Sequence, residues 1–335
     1  MIRRLVGAAG AAALSAVTVR TVGRRAADRL LAAPRVGADE AALGPALDAL
    51  GGEVVRLRSR DGLRLAGRWL PVERAEAWLA DPHEAILLLH GYSGSIAPDL
   101  VEYGPFLRRT AGVLGLDFRG HGESDDAPTT FGMLEVEDVA GALVWLGERG
   151  IRRVALFGTS MGGIAAIESV AILGDGTLAA ADTDASPTRA PIDAPRPRIV
   201  AVVAESVPTS VEVPVANRIR SPFRRFVARR LFDAAARRLS ADPRDTEPGK
   251  VIGLVEPVPL LLIHGSADNT VPVGEGQRLM ALAGPSTELW IVEGADHSRA
   301  HAVAGQDYER RVTDFLRVAF ERSRDDDLGA GEGSL

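Results

Sequence analysis

Gly158-Thr159-Ser160-Met161-Gly162 sets a serine between two glycines, the G-x-S-x-G spacing in which small flanking residues leave room for a strained backbone that lifts the hydroxyl over the end of a sheet. A serine hydroxyl is a poor nucleophile by itself. It needs a base to take its proton, a group to orient that base, and N–H donors for the oxyanion formed when it attacks a carbonyl. The pentapeptide alone is also compatible with a tight turn carrying an exposed serine, so its surroundings decide. Val154-Ala155-Leu156-Phe157 precedes it and Ile164-Ala165-Ala166-Ile167 follows, which predicts strand, sharp turn and helix, the context that the motif requires. Later in the chain Asp268 and His297 each stand just past the end of a predicted buried strand. The order is Ser, Asp, His.

The elements that must position these residues follow one rhythm. Apolar runs at Ile86–Leu89, Val113–Leu116, Ile199–Ala204, Pro259–Ile263 and Glu288–Val292 read as strands buried on both faces. Between them, Leu100–Arg109, Glu135–Arg149 and Gln277–Leu282 have helical spacing. A hairpin is expected around Asp61-Gly62, where apolar and polar residues alternate. The fold class is therefore α/β: a mostly parallel central sheet with helices on both faces, whose ligands bind at the carboxyl ends of the strands. Every candidate residue lies at that end.

Composition narrows the chemistry further. The 335 residues are 46% hydrophobic and 25% charged, as in an ordinary globular protein. A net charge of −6 argues against nucleic acid as a partner. With no cysteine there is no disulfide framework, thiolate metal site or cysteine nucleophile.

The domain reading places the catalytic unit at 53–320. Residues 1–22 are basic and then apolar, too short for a comfortable spanning helix, and are expected to be an uncleaved signal anchor or a surface helix, making the protein membrane-associated, with a cytoplasmic protein as the alternative. Residues 23–52 are expected to be a helical linker. The Pro-rich stretch 174–198 is expected to be a disordered insertion, and the acidic tail 321–335 is expected to be disordered as well. Residues 206–250 read as a cap, with Ser221 as the N-cap of a helix whose apolar face is Phe223, Phe226, Val227, Leu231 and Phe232. Its arginines would also suit an acidic membrane surface.

His90-Gly91, Asp117-Phe118-Arg119-Gly120-His121-Gly122-Glu123-Ser124, the serine turn, His264-Gly265-Ser266-Ala267-Asp268 and Gly294-Ala295-Asp296-His297 occur in that order. Together they resemble the α/β-hydrolase superfamily, in particular its Bem46-like and prolyl-oligopeptidase-like members, over about Glu53 to Phe320. The resemblance implies that Ser160 attacks a carbonyl, that His297 takes and returns its proton, and that Asp268 orients the imidazole. It implies an oxyanion hole made by the backbone N–H groups of Tyr92 and Met161. Glu205 also ends a strand and is the alternative acid. His301, four residues after His297, reads as a surface histidine, and His90, His121 and His264 as residues that shape turns. The expected activity is cleavage of a small-molecule carboxylic ester or thioester through an acyl-serine, with no metal or organic cofactor. A peptidase or amidase, or a hydrolase-fold protein that binds without catalysis, are the alternatives.

Overall fold

The computed structural model describes residues 23–32, 38–73, 81–92, 94–174 and 196–332. Residues 1–22, and 175–195 of the expected insertion, lie outside the described residues. After α1 (residues 23–31) and α2 (Ala38–Leu50) come β1 (Glu53–Arg58), β2 (Arg64–Leu70), β3 (Glu84–Leu89), α3 (Ala97–Leu107), β4 (Gly112–Leu116), α4 (Glu135–Glu148), β5 (Arg153–Thr159) and α5 (Met161–Leu173). There follow β6 (Arg198–Glu205), α6 (Glu212–Arg218), α7 (Arg224–Leu239), α8 (Pro248–Val251), β7 (Leu260–Gly265), α9 (Gly274–Leu282), β8 (Thr287–Val292), α10 (Ala300–Ala304) and α11 (Gln306–Glu332).

Among the described residues eight strands form one sheet, in the order β1-β2-β4-β3-β5-β6-β7-β8. β1 pairs with β2 and β2 with β4 antiparallel, and the other neighbours pair parallel. The central strands β3, β4 and β5 are buried at every position, because helices cover both faces and successive side chains go to opposite sides. Leu87 and Leu89 therefore belong to the core shared with α4 and α5, while Ile86 and Leu88 join Tyr103, Phe106, Tyr308 and Leu316 beneath α3 and α11. Each fully buried side chain of this size contributes roughly 2 kcal/mol, which holds the strand ends as a rigid platform.

Three expectations are corrected. Residues 23–52 are not a linker: Ala27 and Leu31 of α1 are buried, and the carbonyls of Leu47 and Leu50 accept from Arg68 and Arg108 at 3.1 and 2.9 Å. The acidic tail is helical as far as Glu332, because its carboxylates find arginines on the sheet. Asp327 meets Arg153 at 2.6 Å, and the carbonyl of Ser323 accepts from Arg198 at 3.1 Å. In the cap, α7 begins at Arg224 with Phe223 as its N-cap. Its buried face is Ala228, Phe232 and Ala235, whereas Phe223 and Phe226 face outward. Among the described residues no helix is long and apolar enough to cross a membrane.

Candidate active site

Ser160 joins β5 to α5 in a strained conformation of positive φ, φ 50° and ψ −111°, which costs on the order of 1–3 kcal/mol for a residue with a side chain. Two close approaches hold it there. A β-carbon on Gly158 would stand 2.3 Å from the Gly162 backbone, and one on Gly162 only 2.1 Å from the Leu89 carbonyl oxygen. The glycines are thus required by α5 pressing its first turn against β3. The Ser160 amide donates to the Glu205 carbonyl at 2.8 Å, and the Ser160 carbonyl accepts from Ile164 at 3.0 Å.

Ser160 Oγ lies 3.0 Å from His297 Nε2, and His297 Nδ1 lies 2.8 Å from Asp268 Oδ2. These three residues come from the ends of β5, β7 and β8, brought together by the parallel register. A carboxylate only accepts, so Nδ1 carries the ring proton and Nε2 is left to accept from the serine. Asp268 is wholly buried and its other oxygen accepts from the amides of Thr270 and Val271 at 2.9 and 2.7 Å. Burial opposes its charge, but the His297 hydrogen bond and charge and the Val271 amide outweigh it and hold the carboxyl below its ordinary range.

The turn after β3 runs alongside the serine: a β-carbon on Gly91 would stand 3.7 Å from Ser160 Cβ. His90 Nδ1 donates to the Gly91 carbonyl at 2.6 Å, while its Nε2 accepts from the Phe118 amide at 3.1 Å. That pair of bonds fixes one neutral tautomer, and burial lowers the His90 pKa to about 3. In a trans peptide C=O and N–H point in opposite directions, so the bond to the Gly91 oxygen aims the Tyr92 N–H away from His90. His121 Nε2 bonds the Tyr92 carbonyl at 2.9 Å. The Met161 amide sits in the first turn of α5, where N–H groups have no carbonyl partner within the helix.

A sequence profile described as the α/β hydrolase family matches residues 86–310. The chain belongs to the α/β hydrolase family. The YfhR protein of Escherichia coli K12 is 26% identical over 288 residues, covering 84% of this chain and 85% of that one. YfhR of Salmonella typhi is 28% identical over 277 residues, covering 80% and 82%. In fold, this α/β hydrolase is similar to the Pyrococcus furiosus esterase Pf2001, with a TM-score of 0.61 and 22% identity over 86% of this chain and 97% of the esterase.

Glu205, the alternative acid, ends β6 but does not bond the ring of His297. Its oxygens accept from the Ala300 amide at 3.0 Å and the Tyr308 hydroxyl at 2.6 Å, anchoring the backbone just after the histidine. His301 bonds Glu102 and Glu309 at 3.2 and 3.4 Å and takes no part in the serine relay. His264 donates to the Val271 carbonyl at 2.7 Å and props the Asp268 turn.

Sequence reasoning missed the side chain of Tyr92. Its hydroxyl donates to the Leu30 carbonyl at 2.8 Å, and its ring stacks on Phe131 at 5.1 Å and 15°. Phe131 meets Phe232 of α7 at 5.6 Å, so the cap and α1 both reach the turn after β3. The one sequence signal for α1 was the four-residue spacing of Ala27 and Leu31. A cleft of about 570 Å³ beside Asp268 is lined by Asn217, Arg224, Ser266, Asn269 and Pro272. A larger groove, about 920 Å³, lies away from the serine around the β1–β2 hairpin. Three of its arginines are already paired: Arg56 with Glu123, Arg60 with Glu137 and Arg64 with Asp125.

Proposed function

We propose that this α/β hydrolase is a serine hydrolase that cleaves carboxylic esters, or chemically equivalent thioesters, through an acyl-serine intermediate. The observation that carries the reading is the continuous relay of 3.0 and 2.8 Å from Ser160 through His297 to Asp268. Ser160 Oγ attacks the substrate carbonyl carbon while its proton passes to His297 Nε2. The electron pair displaced from the carbonyl becomes an oxyanion, received by the N–H groups of Tyr92 and Met161 at the positive end of α5. Asp268 stabilises the imidazolium without taking its proton. Collapse of the intermediate breaks the bond to the leaving oxygen or sulfur, which takes the proton from Nε2. Water then attacks the acyl-serine, giving its proton to the same nitrogen, and the second collapse frees the acid and restores Ser160.

A fluorophosphonate probe tests this directly, with wild type beside Ser160→Ala and a short-to-long series of p-nitrophenyl esters run on the same samples. Labelling and turnover are expected in wild type and absent in the variant. A well-folded wild type that neither labels nor turns over any ester would leave the protein as a hydrolase fold that binds without catalysis.

A further inference from the structure

The outer face of α7 is built unlike the rest of the surface. The whole chain has a net charge of −6, yet the helix holds six arginines and a single acid, Asp233. That acid is already engaged, with Arg230 at 3.5 Å and Arg244 at 3.0 Å. Phe223, Phe226, Arg230 and Arg237 recur at helical spacing on one side, opposite the buried Ala228, Phe232 and Ala235. Phe223 is 70% exposed and Phe226 60% exposed. Arg225 and Arg229 are exposed beside them.

An unburied phenylalanine forgoes roughly 2 kcal/mol of burial, and two of them at one helix end, ringed by arginines, ask for a partner that is apolar beneath and anionic at its rim. A phosphate-rich polymer would satisfy the arginines, but an overall acidic chain repels it beyond this one helix. An anionic bilayer satisfies both, since guanidinium groups sit at the level of lipid phosphates while aromatic rings enter the headgroup boundary. We infer that the outer face of α7 docks on anionic phospholipid, with Phe223 and Phe226 as its wedge. The docked orientation turns the cap toward the bilayer and brings the cleft lined by Asn217 and Arg224 close to it.

Flotation of the full chain with vesicles of phosphatidylcholine alone, or mixed with phosphatidylglycerol, tests this surface independently of any catalytic reading. Wild type is expected to float with the mixed vesicles and to lose binding as salt rises. Phe223→Ser/Phe226→Ser, and separately Arg225→Gln/Arg229→Gln/Arg230→Gln, should each lower the partition coefficient about tenfold or more, with circular dichroism unchanged. Variants that partition like wild type would overturn the proposal by placing binding elsewhere in the chain, as would equal binding to neutral vesicles or none to either. Because the chain has no cysteine, Pro222→Cys accepts a single polarity-sensitive dye. Its emission should shift to the blue with mixed vesicles, and no shift would overturn the wedge.

Discussion

Asp268 Oδ2 and His297 Nδ1 are 2.8 Å apart, whereas Glu205, which ends the neighbouring strand, gives its two oxygens to Ala300 and Tyr308. Two buried acids thus stand near one histidine with different work. Asp268→Asn should lower kcat by about 10⁴, since an amide in that place favours the wrong imidazole tautomer, and should leave KM nearly unchanged. Glu205→Gln keeps an acceptor for Ala300 and should lower kcat far less. Steady-state turnover of a chromogenic ester by both variants makes the comparison, and an equal loss in both would reject the assignment of roles.

His90 holds the peptide plane that carries the Tyr92 N–H. Removing its ring frees that plane, so His90→Ala should reduce kcat by about 10²-fold, the scale of one lost oxyanion donor. KM should change little, because the plane acts on the charged intermediate. The Phe118 amide left without an acceptor adds a stability cost of about 1–3 kcal/mol. Rate and thermal melting measured on the same preparation separate the two effects.

The parallel strands and the order of candidate residues were legible because both are local signals: continuous apolar runs, and turn residues at strand ends. The meeting of Ser160, Asp268 and His297 follows from the parallel register, which puts the turns after β5, β7 and β8 at one end of the sheet. The Tyr92–Leu30 bond was not legible, since it joins a tyrosine chosen for its backbone to a main-chain oxygen 62 residues away, which leaves no mark on composition. The helical tail was not legible for a related reason. Asp325-Asp326-Asp327 looks solvated by itself, and only the placement of Arg153 and Arg198 on adjacent strands supplies counter-charge. In α7 the sequence carries the apolar pattern but not its phase, because Phe223 and Phe226 count as core by residue type alone.

The serine turn should tolerate no added carbon. Gly162→Ala places a methyl 2.1 Å from the Leu89 carbonyl oxygen, a clash with backbone that side-chain rotation cannot relieve. A loss of roughly 3 kcal/mol or more, or failure to fold, is expected. Gly23→Ala, in the first turn of α1 with no atom of the described residues within 4 Å, serves as the control and should be neutral or slightly stabilising. Denaturant unfolding of the two variants beside wild type provides the measurement.

The pair of His301 with Glu102 gives a pH signature. The Glu102 hydrogen bond, with a second from Glu309, raises the His301 pKa above its ordinary value against the effect of burial. A raised folded-state pKa means that the contribution is fully present below the unfolded value, about 6.5, and is lost as pH rises through the folded value. Glu102→Gln should therefore cost about 1 kcal/mol near pH 5–6 and almost nothing near pH 9. Urea unfolding of wild type and variant at the two pH values checks the sign, and a gap that widens toward alkaline pH would contradict it.

The bond from Tyr92 to Leu30 moves the boundary of the working unit. A chain trimmed to begin at Glu53 would keep every side chain of the relay and every strand of the sheet. It would also lose the carbonyl that holds the Tyr92 hydroxyl, the Asp28 partner of Arg238 on the cap, and the Leu31 carbonyl that accepts from the Thr129 amide at 2.8 Å. The smallest fragment that retains these three contacts therefore starts ahead of α1, some thirty residues before the first strand.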